Sequence, residues 1–65
     1  MLKENFSKTI KKMRMDKGWT QEILSMESGL TTRTISNIEN GSGCSLQTLG
    51  RLARALDISP KDFLA

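Results

Sequence analysis

The chain has no histidine and a single cysteine, Cys44, in 65 residues. One thiol cannot close an internal disulfide, and one thiol without an imidazole cannot build a thiolate or histidine metal site. No metal and no cofactor are expected. The same poverty excludes most enzyme chemistry. With no histidine, no pair of carboxylates at a workable spacing and no room for a deep pocket, no acid, base or nucleophile can be assigned. Cys44 is the one conceivable nucleophile. It sits in a Gly/Ser loop before a helix whose N-terminus could lower its pKa, which leaves a redox role open. Long apolar runs are also missing. Nothing approaches the roughly 20 residues that span a bilayer, and MLKENFSKTIKKMRM holds no signal-peptide core. A cytoplasmic protein is expected, with no membrane partner and no small-molecule ligand evident.

What is present is one small domain, residues 1–65. A chain this short buries only roughly 60% of its unfolded surface, so it depends on close helix packing. Net charge is +3. Six of the ten basic residues fall between Lys3 and Lys17. A mildly basic chain permits a polyanionic partner without requiring one.

Apolar spacing predicts helices throughout and offers no strand. Phe6, Ile10 and Met13 form one stripe of a first helix, about Asn5 to Lys17. Lys8, Lys11 and Lys12 lie mostly off it, as a phosphate-facing edge or a solvated face. Lys17-Gly18 ends this helix, and Trp19 is expected to cover the seam with the next. A second helix runs about Gln21 to Ser28, capped by Thr20, with Leu24 its likeliest core residue. Gln21, at its first position, can either bond a DNA phosphate beside the free N–H groups there or stay solvated. Gly29 then allows an immediate turn. A third helix runs about Thr32 to Asn40, capped by Thr31.

The stretch Thr20 to Gly41 organises the rest. Ile35 and Ile38 can hold the third helix down. Its remaining surface, Thr32, Arg33, Thr34, Ser36, Asn37 and Asn40, is a row of short donors and acceptors suited to the DNA major groove. After a short turn, Leu46, Leu49, Leu52, Ala53 and Leu56 give the fourth helix, about Ser45 to Leu56, the cleanest helical stripe in the chain. Ser59-Pro60-Lys61-Asp62 opens a last short helix closed by Phe63 and Leu64.

Several segments carry a family resemblance: Met13-Arg14, Thr20-Gln21-Glu22, Leu24, Gly29-Leu30-Thr31, Ile35 to Gly41, Ser45 to Leu49 and Leu52 to Leu56. In this order and at these spacings the chain resembles the Cro/phage-repressor-like, or XRE, helix-turn-helix family from about Phe6 to Leu64. The resemblance implies an all-α, five-helix lambda-repressor-like fold, with the motif formed by helices two and three. It implies base contacts from Thr32, Arg33, Ser36 and Asn37 and phosphate contacts from Gln21 and Asn40. It also implies a structural ion pair between Arg14 and Glu39, and a dimer surface at Ile58, Phe63 and Leu64. Phe63 can serve that surface, the core, or both. Two positions depart from the family. Ser25 replaces the usual alanine and can bond back to a carbonyl within its helix. Cys44 replaces a common proline in a loop about one residue shorter and poorer in basic residues, so fewer phosphate contacts are expected there.

The function expected is a sequence-specific, DNA-binding transcription regulator. One domain offers few base contacts, so a homodimer on a pseudo-palindrome is expected. A phage Cro-like repressor, a restriction–modification controller and an antitoxin-type regulator all fit the size. The alternative is a protein-interaction module that keeps the fold without specific DNA binding. Such a module should carry apolar anchors on the third helix.

Overall fold

The computed structural model describes residues 6–63. Four α-helices follow in order, α1 Phe6–Asp16, α2 Gln21–Ser28, α3 Thr32–Glu39 and α4 Leu46–Ala55. The expected fifth helix is a single 3-10 turn, Pro60–Phe63, so among the described residues there are four α-helices rather than five. Four residues are too few to close a stable α-helical ladder, and the Asp62 N–H instead bonds the Ser59 carbonyl at 2.9 Å, the i to i+3 spacing of a 3-10 turn. Among the described residues there is no strand, and no helix is long and apolar enough to cross a membrane.

Each cap closes within four residues. Thr20 Oγ1 accepts from the Ile23 N–H at 3.2 Å, Thr31 Oγ1 from Thr34 at 3.1 Å and Ser45 Oγ from Thr48 at 3.2 Å. Each bond satisfies a helix N–H that has no partner inside its own helix. Three helix ends share one device, in which a residue of positive φ turns the chain and two N–H groups return to the last turn. After α1 the Gly18 N–H bonds Met15 O at 2.9 Å and the Trp19 N–H bonds Arg14 O at 3.1 Å. After α3 the pair is Gly41 to Ile38 at 3.1 Å and Ser42 to Asn37 at 3.0 Å. After α4 it is Asp57 to Arg54 at 3.2 Å and Ile58 to Ala53 at 2.9 Å. Asp57 adopts φ 58°, a conformation that costs an L-residue more than it costs glycine.

The core draws on every α-helix: Phe6 and Ile10, Leu24, Ile35 and Ile38, then Leu49, Leu52, Ala53 and Leu56. Helix α2 packs on α3 and α4, while α1 packs on α3 and the 3-10 turn packs on α4. The stripe expected on the fourth helix loses one member. Leu46 is 77% exposed, because it opens α4 a turn before Leu49 and lies past the edge of the core. On α2 only Leu24 of the larger apolar residues is buried; Ile23 and Met26 face outward.

The turn between α2 and α3 is tied by two serines. Gly29 takes φ 76°, ψ 11°, and its N–H bonds Ser25 O at 2.9 Å. Ser28 Oγ is buried. It donates to Leu24 O at 2.7 Å and accepts from the Leu30 N–H at 3.3 Å. Ser25 Oγ donates to the Leu30 carbonyl across the turn, not to a carbonyl within α2 as the sequence suggested. The turn brings Leu30 O over α2, so the hydroxyl that replaces the usual alanine holds two elements together.

Candidate nucleic-acid interface

Helix α3 has a pinned side and an open side. Ile35 and Ile38 are 0% and 2% exposed, and burying such side chains is worth roughly 1.5–3 kcal/mol each. On the open side Thr32, Arg33 and Asn37 are exposed, and their side chains form no hydrogen bond or ion pair with the described residues. Ser36 is half-buried, and its Oγ lies 3.5 Å from the Asn40 Nδ2 that donates to it. The structure therefore gathers the four base-reading candidates onto one short helix, with Asn40 as its C-cap.

A second anchor sets the end of that helix. Arg14 Nε donates to Glu39 Oε2 at 2.7 Å and Nη2 donates to Oε1 at 3.1 Å. The fork-to-carboxylate geometry is that of a strong paired contact. Side-chain exposure is 11% for Arg14 and 3% for Glu39, so solvent screens the pair little. The hydrogen bond to Glu39 raises the Arg14 pKa above its ordinary value, while burial works in the opposite direction. The remaining guanidinium nitrogen, Nη1, donates to the Trp19 carbonyl at 2.6 Å. Arg14 and Trp19 therefore hold each other reciprocally, backbone to backbone and side chain to backbone. Trp19 is half-buried against the core, and Lys17 Nζ sits 5.1 Å from its ring centroid.

Gln21 also belongs to this cluster. Its Nε2 donates to Glu39 Oε1 at 3.2 Å. Neither the contact to Gln21 nor the grip on the Trp19 carbonyl follows from the sequence patterns. Both depend on how α1, α2 and α3 meet, and no periodicity within one helix encodes that.

Other candidates stand apart from the site. Lys8, Lys11 and Lys12 are exposed, and Lys12 pairs with Asp16 at 3.0 Å across a solvated turn, a contact of little energetic weight. Cys44 is half-buried against the core, and burial pushes its thiol pKa up rather than down. That direction is opposite to the lowering that the α4 N-terminus could supply, and a raised pKa disfavours a reactive thiolate. Of the dimer candidates, Ile58 is half-buried against the core. Phe63 closes the 3-10 turn, and Leu64 lies outside the described residues.

A helix-turn-helix family model matches residues 10–63. Among solved structures, the chain is similar to the restriction-modification controller protein C.AhdI from Aeromonas hydrophila. The two are 36% identical over 89% of this chain and 89% of that one, with a TM-score of 0.85. It is also similar to the wild-type restriction-modification controller protein C.Esp1396I, at 38% identity over 85% of this chain and 73% of that one, with a TM-score of 0.78. No curated protein sequence matches it closely enough to count as a relative.

Proposed function

The chain belongs to the XRE-type helix-turn-helix family, and from that premise we propose that it is a sequence-specific, DNA-binding transcription regulator of the restriction–modification controller kind. The observation that carries the reading is α3 itself. The helix is fixed from behind by Ile35, Ile38 and the Arg14–Glu39 pair, and it presents Thr32, Arg33 and Asn37 with no competing partner among the described residues.

In the major groove Arg33 would donate two bonds to O6 and N7 of a guanine, and Asn37 would bond N6 and N7 of an adenine. Thr32 and Ser36 would bond a base edge or meet a thymine methyl. Gln21 and Asn40 lie at the two ends of the motif, where they would hold phosphates and fix the register of the helix. The backbone N–H groups of Gln21 and Glu22 make no bond to the described residues, so they would add donors to the same phosphate.

A single copy reads too few bases for a unique site. We assign the protein as a homodimer on a pseudo-palindrome, with half-site centres about 34–36 Å apart. Ile58, Phe63 and Leu64 are the dimer candidates. The protein-interaction alternative finds little support on α3. The exposed large apolar side chains among the described residues, Met15, Ile23, Met26 and Leu46, lie on α1, α2 and α4.

The test is selection of bound duplexes from a random DNA library at near-physiological salt. An enriched pseudo-palindrome is expected. Weak binding that selects no sequence and vanishes with added salt would overturn the reading, leaving only attraction to the basic surface.

A further inference from the structure

We propose that Glu39 is a positioning residue for the backbone grip of Gln21, so that the base-reading helix and the phosphate clamp are set by one carboxylate. The proposal rests on the DNA-binding reading above and adds a coupling that neither contact implies alone. Glu39 belongs to the last turn of α3 and Gln21 to the first of α2, 18 residues apart in sequence. One carboxylate receives three N–H donors: Arg14 Nε at 2.7 Å, Arg14 Nη2 at 3.1 Å and Gln21 Nε2 at 3.2 Å. Arg14 is in turn held by the Trp19 carbonyl at 2.6 Å, so the carboxylate has no freedom to follow Gln21.

The consequence is chemical. A carboxylate accepts and never donates, so Gln21 must turn its NH2 group, not its carbonyl, toward Glu39. This fixes the orientation of the amide. One N–H is used by Glu39, and the other is left for an acceptor, next to the unpartnered backbone N–H groups of Gln21 and Glu22. A phosphate oxygen is an acceptor of the right kind. Without Glu39 the amide rotates freely and presents its carbonyl as readily as its NH2, which repels a phosphate. The ion pair would then do more than hold α3 down. It would select the Gln21 rotamer that binds DNA before DNA arrives, reducing the ordering cost of the contact.

The experiment uses the intact protein and its selected duplex, with each phosphate around one half-site replaced in turn by a neutral methylphosphonate. In the wild-type protein one substitution should weaken binding by roughly five- to tenfold, the loss of a hydrogen bond to a charged acceptor. In Gln21→Ala that penalty should shrink at the same phosphate to the part owed to the backbone N–H groups. In Glu39→Met, which leaves the amide no acceptor at position 39, it should shrink in the same way, while penalties at the other phosphates persist. A purely structural Glu39 would instead weaken binding to every duplex alike and leave the penalty in place. That result would overturn the proposal. The side-chain amide of Gln21 gives a second readout on the free wild-type protein, independent of how well the variants fold. One of its two Nε2–H signals is expected to be protected from exchange with water; two signals that both exchange as fast as those of a solvated glutamine would overturn the proposal. If the wild-type protein selects no duplex, the DNA reading itself fails; if it selects one but Glu39→Met keeps the full penalty, only the coupling fails.

Discussion

The two ends of this molecule are held together differently. The end that includes α2, the turn and α3 is tied by polar bonds between elements: Arg14 to Glu39 and Trp19, Gln21 to Glu39, Ser25 and Ser28 to Leu30. The end that includes α4 and the 3-10 turn is held by apolar packing of Leu49, Leu52, Ala53 and Leu56, and its side chains form no ion pair among the described residues. Hydrophobic contact is non-directional and tolerates small sliding, whereas short hydrogen bonds fix angles. A helix that must meet base edges needs its angle fixed. The polar ties are concentrated where orientation would matter, and the packed end supplies stability without them.

Four substitutions would break or sharpen that contrast. The largest effect is expected from Glu39→Ala. It leaves the Arg14 charge buried and unpaired, so unfolding free energy in urea should fall by about 3–5 kcal/mol. A loss below about 1 kcal/mol would mean that the polar end, too, is held chiefly by packing. Arg33→Ala should leave urea stability unchanged, since the side chain is exposed and unpartnered. It should remove about 1–3 kcal/mol of base discrimination at one position per half-site. Unchanged specificity in repeated duplex selection would remove Arg33 from the readout.

Gly29→Ala comes next. The residue holds φ 76°, and a Cβ there would lie 3.0 Å from Arg51 Nη1, the movable end of a long side chain. Arg51 can shift aside but the backbone strain remains, so a loss of about 1–2 kcal/mol is expected in thermal or urea unfolding. The smallest effect, and the only gain, is expected at the packed end. Asp57→Gly relieves the left-handed residue after α4 and should raise stability by about 0.5–1 kcal/mol. A loss of stability there would show that the Asp57 side chain contributes a bond that outweighs its strain.

Much of the fold is legible in the residues. Ile35 and Ile38 are three apart on one helix face, and that spacing alone predicts the pinned side of α3. Leu24, Leu49, Leu52 and Leu56 are found where their periodicity puts them. Leu46 fits the same stripe yet is exposed, because periodicity assigns a face and does not say how far along the helix the core extends. The last helix differs from its sequence pattern for a related reason. Ser59 and Pro60 mark a helix start correctly, but a start signal carries no information about whether enough residues follow to build an α-helical turn. Cys44 shows the limit for chemistry. Its position before α4 suggests a lowered pKa, yet the burial that raises it is a property of the folded surroundings.

By itself, then, the sequence determined what is closed over short distances. Thr20, Thr31 and Ser45 cap their helices by accepting from N–H groups three residues ahead, and Gly29 marks a left-handed turn. These bonds lie within one turn of chain, so they are settled by the order of residues alone. The tertiary structure decided what spans helices. Glu39 receives Arg14 from 25 residues away and Gln21 from 18, and Ser25 reaches across the turn to Leu30. Those contacts exist only when the crossing angles bring three helix ends together. Packing of the whole core sets those angles, and no local pattern does.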